Sequence, residues 1–147
     1  MKEKIGISKL YVFIGLFAVL SAQAGDDIQS SATVIEANAA RDFVTEHEDA
    51  VILDVRTPFE YEMSHITGSV NADVQDQSFE DMVANLDPNK KYIVHCTKNP
   101  QGGRSGRALE SMQKLGFKHL YSLEGGYVAW KDAELPLTGT ANQDRLN

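Results

Sequence analysis

Cysteine is almost missing from this chain: one residue, Cys96, among 147. A single cysteine allows no intramolecular disulfide, so the fold must rest on its hydrophobic core. Cations are in short supply as well, with 14 Lys and Arg against 21 Asp and Glu. That balance argues against nucleic acid or an anionic membrane as the main partner. Ligand clusters are absent too. Four dispersed His and one Cys match no zinc or iron–sulfur spacing, so no metal and no cofactor is expected. There is no internal repeat and no low-complexity tract. The one long apolar run, Leu10 to Leu20, would span roughly 16 Å as a helix, about half a hydrocarbon core.

That run belongs to a three-part pattern. Lys2, Lys4 and Lys9 precede it, and Ala22-Gln23-Ala24 follows with small residues at the two positions a signal peptidase reads. Residues 1–24 are therefore expected to be a cleaved secretory signal peptide and the protein periplasmic, the alternative being a membrane anchor. No cysteine lies near the cut, so lipid attachment there is excluded. The leader holds three Lys and one Glu; what remains carries eleven basic and twenty acidic residues, a net charge of −9. A flexible segment is expected at 25–32, one domain at 33–137 and a polar tail at 138–147. A monomer is expected, with no membrane contact after cleavage. A lone thiol in an oxidising compartment is a chemical liability unless it is used; the bland alternative is an inert core cysteine.

Periodicity gives the elements. Ala40, Phe43 and Val44 have helical spacing and predict a helix over 36–46. Val51 to Val55 is a β-branched apolar run and reads as a buried strand; Pro58 can start the turn of helix after it. Phe79, Met82, Val83 and Leu86 predict a helix with Ser78 as N-cap. Tyr92 to His95 is the next strand. Ala108, Leu109, Met112 and Leu115 line one face of a helix that Gly116 stops. Leu120 to Leu123 is another strand, and a last helical segment ends near Trp130. Strands alternating with helices predict an α/β domain, with a mainly parallel sheet and helices on both faces. Ligands in such sheets sit beyond the carboxyl ends of strands, and Cys96 is the first residue after the strand 92–95.

The surroundings of Cys96 read as chemistry. A loop rich in glycine runs from Thr97 to Gly103 into a helix start at Arg104-Ser105-Gly106-Arg107. Lys98, Arg104 and Arg107 make a cationic cluster in an acidic chain. These charges and the helix dipole favour a thiolate, so the thiol is expected to be acidic. Gly102, Gly103 and Gly106 allow the backbone to approach a bound anion. The candidate nucleophile is Cys96, and the candidate substrate-binding residues are Lys98, Gly102, Gly103, Arg104, Ser105 and Arg107. Asp54, Arg56, His65 and His95 are read as structural, and Tyr127 and Trp130 as core.

Four segments together resemble the rhodanese family, over roughly Val34 to Leu137. They are Leu53-Asp54-Val55-Arg56 with Glu60-Tyr61, His65-Ile66-Thr67-Gly68-Ser69, the Cys96 loop with Arg104-Ser105, and Leu123-Glu124-Gly125-Gly126-Tyr127 through Trp130. The resemblance implies a small α/β domain and a double displacement. Cys96 would take the outer sulfur of thiosulfate or a related small anionic donor as a persulfide. It would then pass that sulfur to cyanide or a thiol. Arg104 would hold the donor's oxygens and loop amides would stabilise the persulfide.

Thr67 stands where the family usually has proline. The larger departure is spacing. Family sulfurtransferases usually show Cys-x4-Arg and the phosphatases of this fold Cys-x5-Arg, whereas Cys96 to Arg104 is Cys-x7-Arg. The extra residues can bulge outward, with 98–101 as a rim over a cradle of residues 102–105, or they can widen the cradle. Two competing functions follow: an oxyanion enzyme of phosphatase or arsenate type, and a non-catalytic sulfur carrier. The first would need a general acid, and no carboxylate lies inside the loop.

Overall fold

The structure, a computed structural model, describes residues 32–98 and 103–143. The expected signal peptide, nearly all of the segment 25–32, Gly102 and the end of the tail lie outside the described residues. The first half runs β1 (Thr33–Ile35), α1 (Ala37–Glu46), β2 (Ala50–Asp54), α2 (Pro58–Met63), β3 (His65–Ile66), β4 (Val70–Asn71) and α3 (Phe79–Ala84). The second runs β5 (Lys91–His95), α4 (Arg104–Lys114), β6 (His119–Leu123), α5 (Gly126–Asp132), β7 (Leu137–Thr138) and α6 (Thr140–Gln143).

Five strands form one sheet in the order β1-β6-β5-β2-β4, and every neighbouring pair is parallel. A parallel sheet needs cover on both faces, and alternation along the strands supplies it. Ile52, Ile93 and Leu123 pack with Ala37 and Ala40 of α1 and Trp130 of α5. Leu53, Tyr92, Val94 and Leu120 pack with Phe79 and Val83 of α3 and with Ala108, Leu109 and Met112 of α4. Met112 is wholly buried, and such a side chain contributes about 1.5–3 kcal/mol. Cys96 joins this second cluster, on the α4 side of the sheet.

Local chemistry sets the element ends. Thr57 and Glu60 form a capping box with Pro58 in the first turn of α2, two satisfied donors where the helix would leave orphans. Ser78 stands at the N-cap of α3, but its hydroxyl donates to Asp76 and makes no cap bond. A carboxylate two residues back outcompetes the helix amides for that hydroxyl. At the end of α4, Gly116 has φ +87°, and Phe117 donates its amide to Met112 O.

Three short strands have no signature in the sequence. β1 pairs with β6, and β3 pairs antiparallel with β7. The start of the polar tail therefore carries structure: Thr138 lies opposite His65, and Thr140 donates to Glu62 O. No helix among the described residues is long and apolar enough to cross a membrane.

Candidate active site

Cys96 follows β5 directly, at the carboxyl end of the sheet, with only 3% of its surface exposed. Its backbone is held from behind. The Cys96 carbonyl accepts from Tyr127 N at 2.9 Å and lies 3.1 Å from His95 Nδ1; the Thr97 carbonyl accepts from Val128 N at 3.0 Å. Those amides belong to the first turn of α5, where donors lack helical partners. The approach requires glycine. Gly126 has φ +61°, and a Cβ there would fall 2.5 Å from Cys96 O. On the α4 side, the Ser105 hydroxyl is buried and lies 3.5 Å from Cys96 Sγ, close enough to donate to a thiolate.

Arg104 opens α4 and turns to α2. Its Nη1 donates to Glu60 Oε2 at 2.6 Å and its Nη2 to Glu60 Oε1 at 2.9 Å, a two-pronged ion pair. Nη2 also donates to Thr97 Oγ1 at 2.8 Å, while that hydroxyl donates to Glu60 Oε1 at 3.0 Å. Glu60 Oε2 further accepts from Thr57 N and Thr57 Oγ1. With the Arg104 bond as the largest cause, the Glu60 carboxyl is pulled down to about 2. The same pair raises the Arg104 pKa, as do the nearby Cys96 and Asp73. The two ends of the cysteine loop, Thr97 and Arg104, are thus joined directly and through Glu60.

A buried charge layer lies at the ends of β2 and β5, where Asp54 is the strand neighbour of His95. Asp54 and Arg56 are both enclosed, with Arg56 Nη2 2.6 Å from Asp54 Oδ2 and Arg56 Nε 3.0 Å from Oδ1. Arg56 also donates to Ser64 O and lies 4.2 Å over the Tyr127 ring. Removing one member of such a pair leaves an uncompensated charge, so Asp54 and Arg56 hold one another in place. His95 is fully enclosed beside them, its Nε2 3.8 Å from Asp54 Oδ2. Burial pushes its pKa down, with the Asp54 charge acting in the opposite direction. His65 donates from Nδ1 to Tyr61 O at 2.7 Å and stacks flat on the Tyr61 ring.

The sequence candidates divide accordingly. Cys96, Ser105 and Arg104 come together, and Gly103 is the N-cap of α4. Lys98 and Arg107 are exposed. Gly102 lies outside the described residues. The guanidinium expected to grip a donor is held by Glu60 and Thr97. Sequence reading missed both of those partners. The capping box was a readable signal for Glu60, but it accounts only for the bonds to Thr57. Trp130 is core as expected, while Tyr127 is only half-buried and carries Arg56 on its face.

Residues 36–133 match the rhodanese-like domain family. A thiosulfate sulfurtransferase GlpE of Pseudomonas entomophila is 31% identical over 97 residues, covering 66% of this chain and 84% of the relative. An uncharacterized protein of Synechocystis is 34% identical over 103 residues, 65% of this chain but 51% of the relative, so this chain spans about half that protein's length. Among solved structures, a rhodanese-related protein from Thermoplasma volcanium superposes with a TM-score of 0.61 at 28% identity, covering 72% of this chain and 97% of that one. A rhodanese-like domain from Anabaena gives 0.65 at 24% identity over 76% and 83% of the two chains, which shows the shared fold.

Proposed function

The chain belongs to the rhodanese-like domain family, and from that premise we propose that it is a sulfurtransferase working through a persulfide on Cys96. The observation that carries the reading is the placement of the chain's one thiol. It stands at a strand end, with the Ser105 hydroxyl 3.5 Å from sulfur and the Arg104 charge close by. A hydroxyl donor, a nearby cation and a helix start all favour a thiolate.

In the first displacement the Cys96 thiolate attacks the outer sulfur of the donor. For thiosulfate, the sulfur–sulfur bond breaks and its electron pair leaves with sulfite, while a new sulfur–sulfur bond forms on Cys96. In the second, cyanide or a thiolate takes the outer sulfur and the Cys96 thiolate is restored. No external oxidant or reductant enters. Lys98, Arg107 and the start of α4 at Gly103 and Ser105 supply positive potential for the anionic donor and leaving group.

An oxyanion-ester hydrolase on this site would need a protonated group to meet its leaving oxygen. Glu60, the carboxylate brought against the loop, has a pKa of about 2 and accepts five hydrogen bonds, so it is a poor acid near neutrality. That weighs against the hydrolase reading. Export is part of the proposal: protein recovered from the periplasm should begin at Gly25. The activity itself is tested by thiosulfate:cyanide turnover. Wild type should produce thiocyanate and Cys96→Ser should produce none while remaining folded; retained turnover in the variant would refute the nucleophile.

A further inference from the structure

We propose that Glu60 sets the charge of the sulfur site, and that it tunes the site toward sulfane donors of low charge over the thiosulfate dianion. The proposal rests on the sulfurtransferase reading for its donor half and on the geometry of the clasp alone for its electrostatic half.

Glu60 lies 44 residues from Arg104 in sequence but meets both of its terminal nitrogens. Counting the bond to Thr97, three of the five guanidinium N–H groups are committed within the clasp. The pair brings one positive and one negative charge beside Thr97, with side chains 22% and 31% exposed, so solvent reaches it in part. Arg104 is near enough to Cys96 for the two charges to interact. A free guanidinium there would favour every negative species, the thiolate and a dianionic donor alike. With Glu60 in place, that field is largely cancelled. Glu60 cannot relax this by taking a proton in the ordinary pH range, because its carboxyl is held at about 2.

The cost falls unequally on donors. A dianion feels the Glu60 carboxylate twice as strongly as a monoanion, and a neutral alkyl hydropersulfide feels it hardly at all. Such a hydropersulfide needs no oxyanion grip. Its sulfur–sulfur bond breaks under attack by Cys96, the alkyl thiolate leaves with the electron pair, and the outer sulfur stays on Cys96 with its proton. Thr97 and Arg104 meanwhile stay joined. Glu60 and Arg104 are therefore positioning and specificity-determining residues, not catalytic ones.

The test uses Glu60→Gln, Arg104→Met and the double variant in the full chain. Persulfide formation with thiosulfate and with a small alkyl hydropersulfide is followed by intact mass. The thiol midpoint is read from iodoacetamide alkylation against pH. The other charged groups of the neighbouring elements, Lys98, Arg107, Asp73, Asp54 and Arg56, and the buried neutral His95 are unchanged in all variants. Glu60→Gln should raise the thiosulfate rate relative to the hydropersulfide rate by about threefold or more and lower the thiol midpoint. Arg104→Met should move both readouts the other way, and the double variant should return both toward wild type. Equal loss with both donors and an unmoved midpoint would make Glu60 a structural staple only and overturn the inference. If wild type forms no persulfide with either donor, the sulfurtransferase reading fails by itself and the midpoints decide the electrostatic half. If Glu60→Gln does not fold, Arg104→Met decides: a raised midpoint supports the inference and an unmoved one overturns it.

Discussion

The backbone nitrogen of Tyr127 donates to the carbonyl of Cys96 at 2.9 Å, so the peptide of the candidate nucleophile is fixed by a residue 31 positions further along the chain. Val128 repeats the contact on Thr97 at 3.0 Å. These two bonds aim the Cys96 and Thr97 carbonyls into the first turn of α5 and fix the backbone that carries the sulfur. Geometry of this kind costs nothing at the moment of reaction because folding has already set it.

Gly126 is the hinge of that arrangement. Gly126→Ala would put a Cβ 2.5 Å from Cys96 O and 3.0 Å from the Thr97 carbonyl, on a residue with φ +61°. A side chain in that conformation costs about 1–3 kcal/mol before any clash is counted. The variant should melt at least several degrees lower by calorimetry and form persulfide more slowly. Gly106→Ala is the contrast: nothing lies within 4 Å of its Cβ position, inside α4. Alanine there should stabilise the fold by about 0.5–1 kcal/mol.

Glu60 ties stability to acid. Its carboxyl is held at about 2 in the folded protein against an ordinary value of 4.5, with the Arg104 bond as the main cause. A depressed carboxyl stabilises the fold fully above the unfolded value and loses that contribution as pH falls from 4.5 toward 2. Solvent reaches the pair, so the contribution is about 1 kcal/mol rather than the full linkage value. Thermal melts of Glu60→Gln should start lower at neutral pH, by about 4 °C, and fall less steeply across that acid window.

His95 acts in a higher window. It is fully buried and its pKa is lowered by burial, so the folded protein keeps it neutral while the unfolded chain protonates near 6.5. The sign is the same as for Glu60: stability is complete above about 6.5 and declines as pH falls below it. His95→Asn can keep a donor toward Cys96 O while removing the titration. It should cost about 1–3 kcal/mol at pH 8 and flatten the decline in melting temperature as pH falls below about 6.5.

Much of this was legible in the sequence. Val51 to Val55 and Tyr92 to His95 read as buried strands because both faces of a parallel sheet are covered, and the end of the second put Cys96 at a strand end. Met112 and Leu109 gave the inner face of α4 by spacing alone. What stayed hidden depends on partners far along the chain. His65 and Ile66 are strand only because Leu137 and Thr138 lie opposite them, and two residues carry no period. Thr33 to Ile35 take their register from β6. Glu60 was read only as part of a short helix and a family marker; its reach to Arg104 depends on how α2 and α4 meet, which no local pattern encodes. Arg104 was read as the residue that would hold the donor's oxygens; that its guanidinium is also engaged by Glu60 and Thr97 carried no local signal.

The central claim is that Cys96 carries the sulfur, and intact-mass spectrometry after incubation with thiosulfate, in the absence of acceptor, tests it most directly. Wild type should gain the mass of one sulfur atom, lose it on addition of cyanide, and map it to the peptide containing Cys96; Cys96→Ser should gain nothing. A folded wild-type protein that gains no sulfur from thiosulfate or from an alkyl hydropersulfide, or a Cys96→Ser variant that still gains it, would contradict the account.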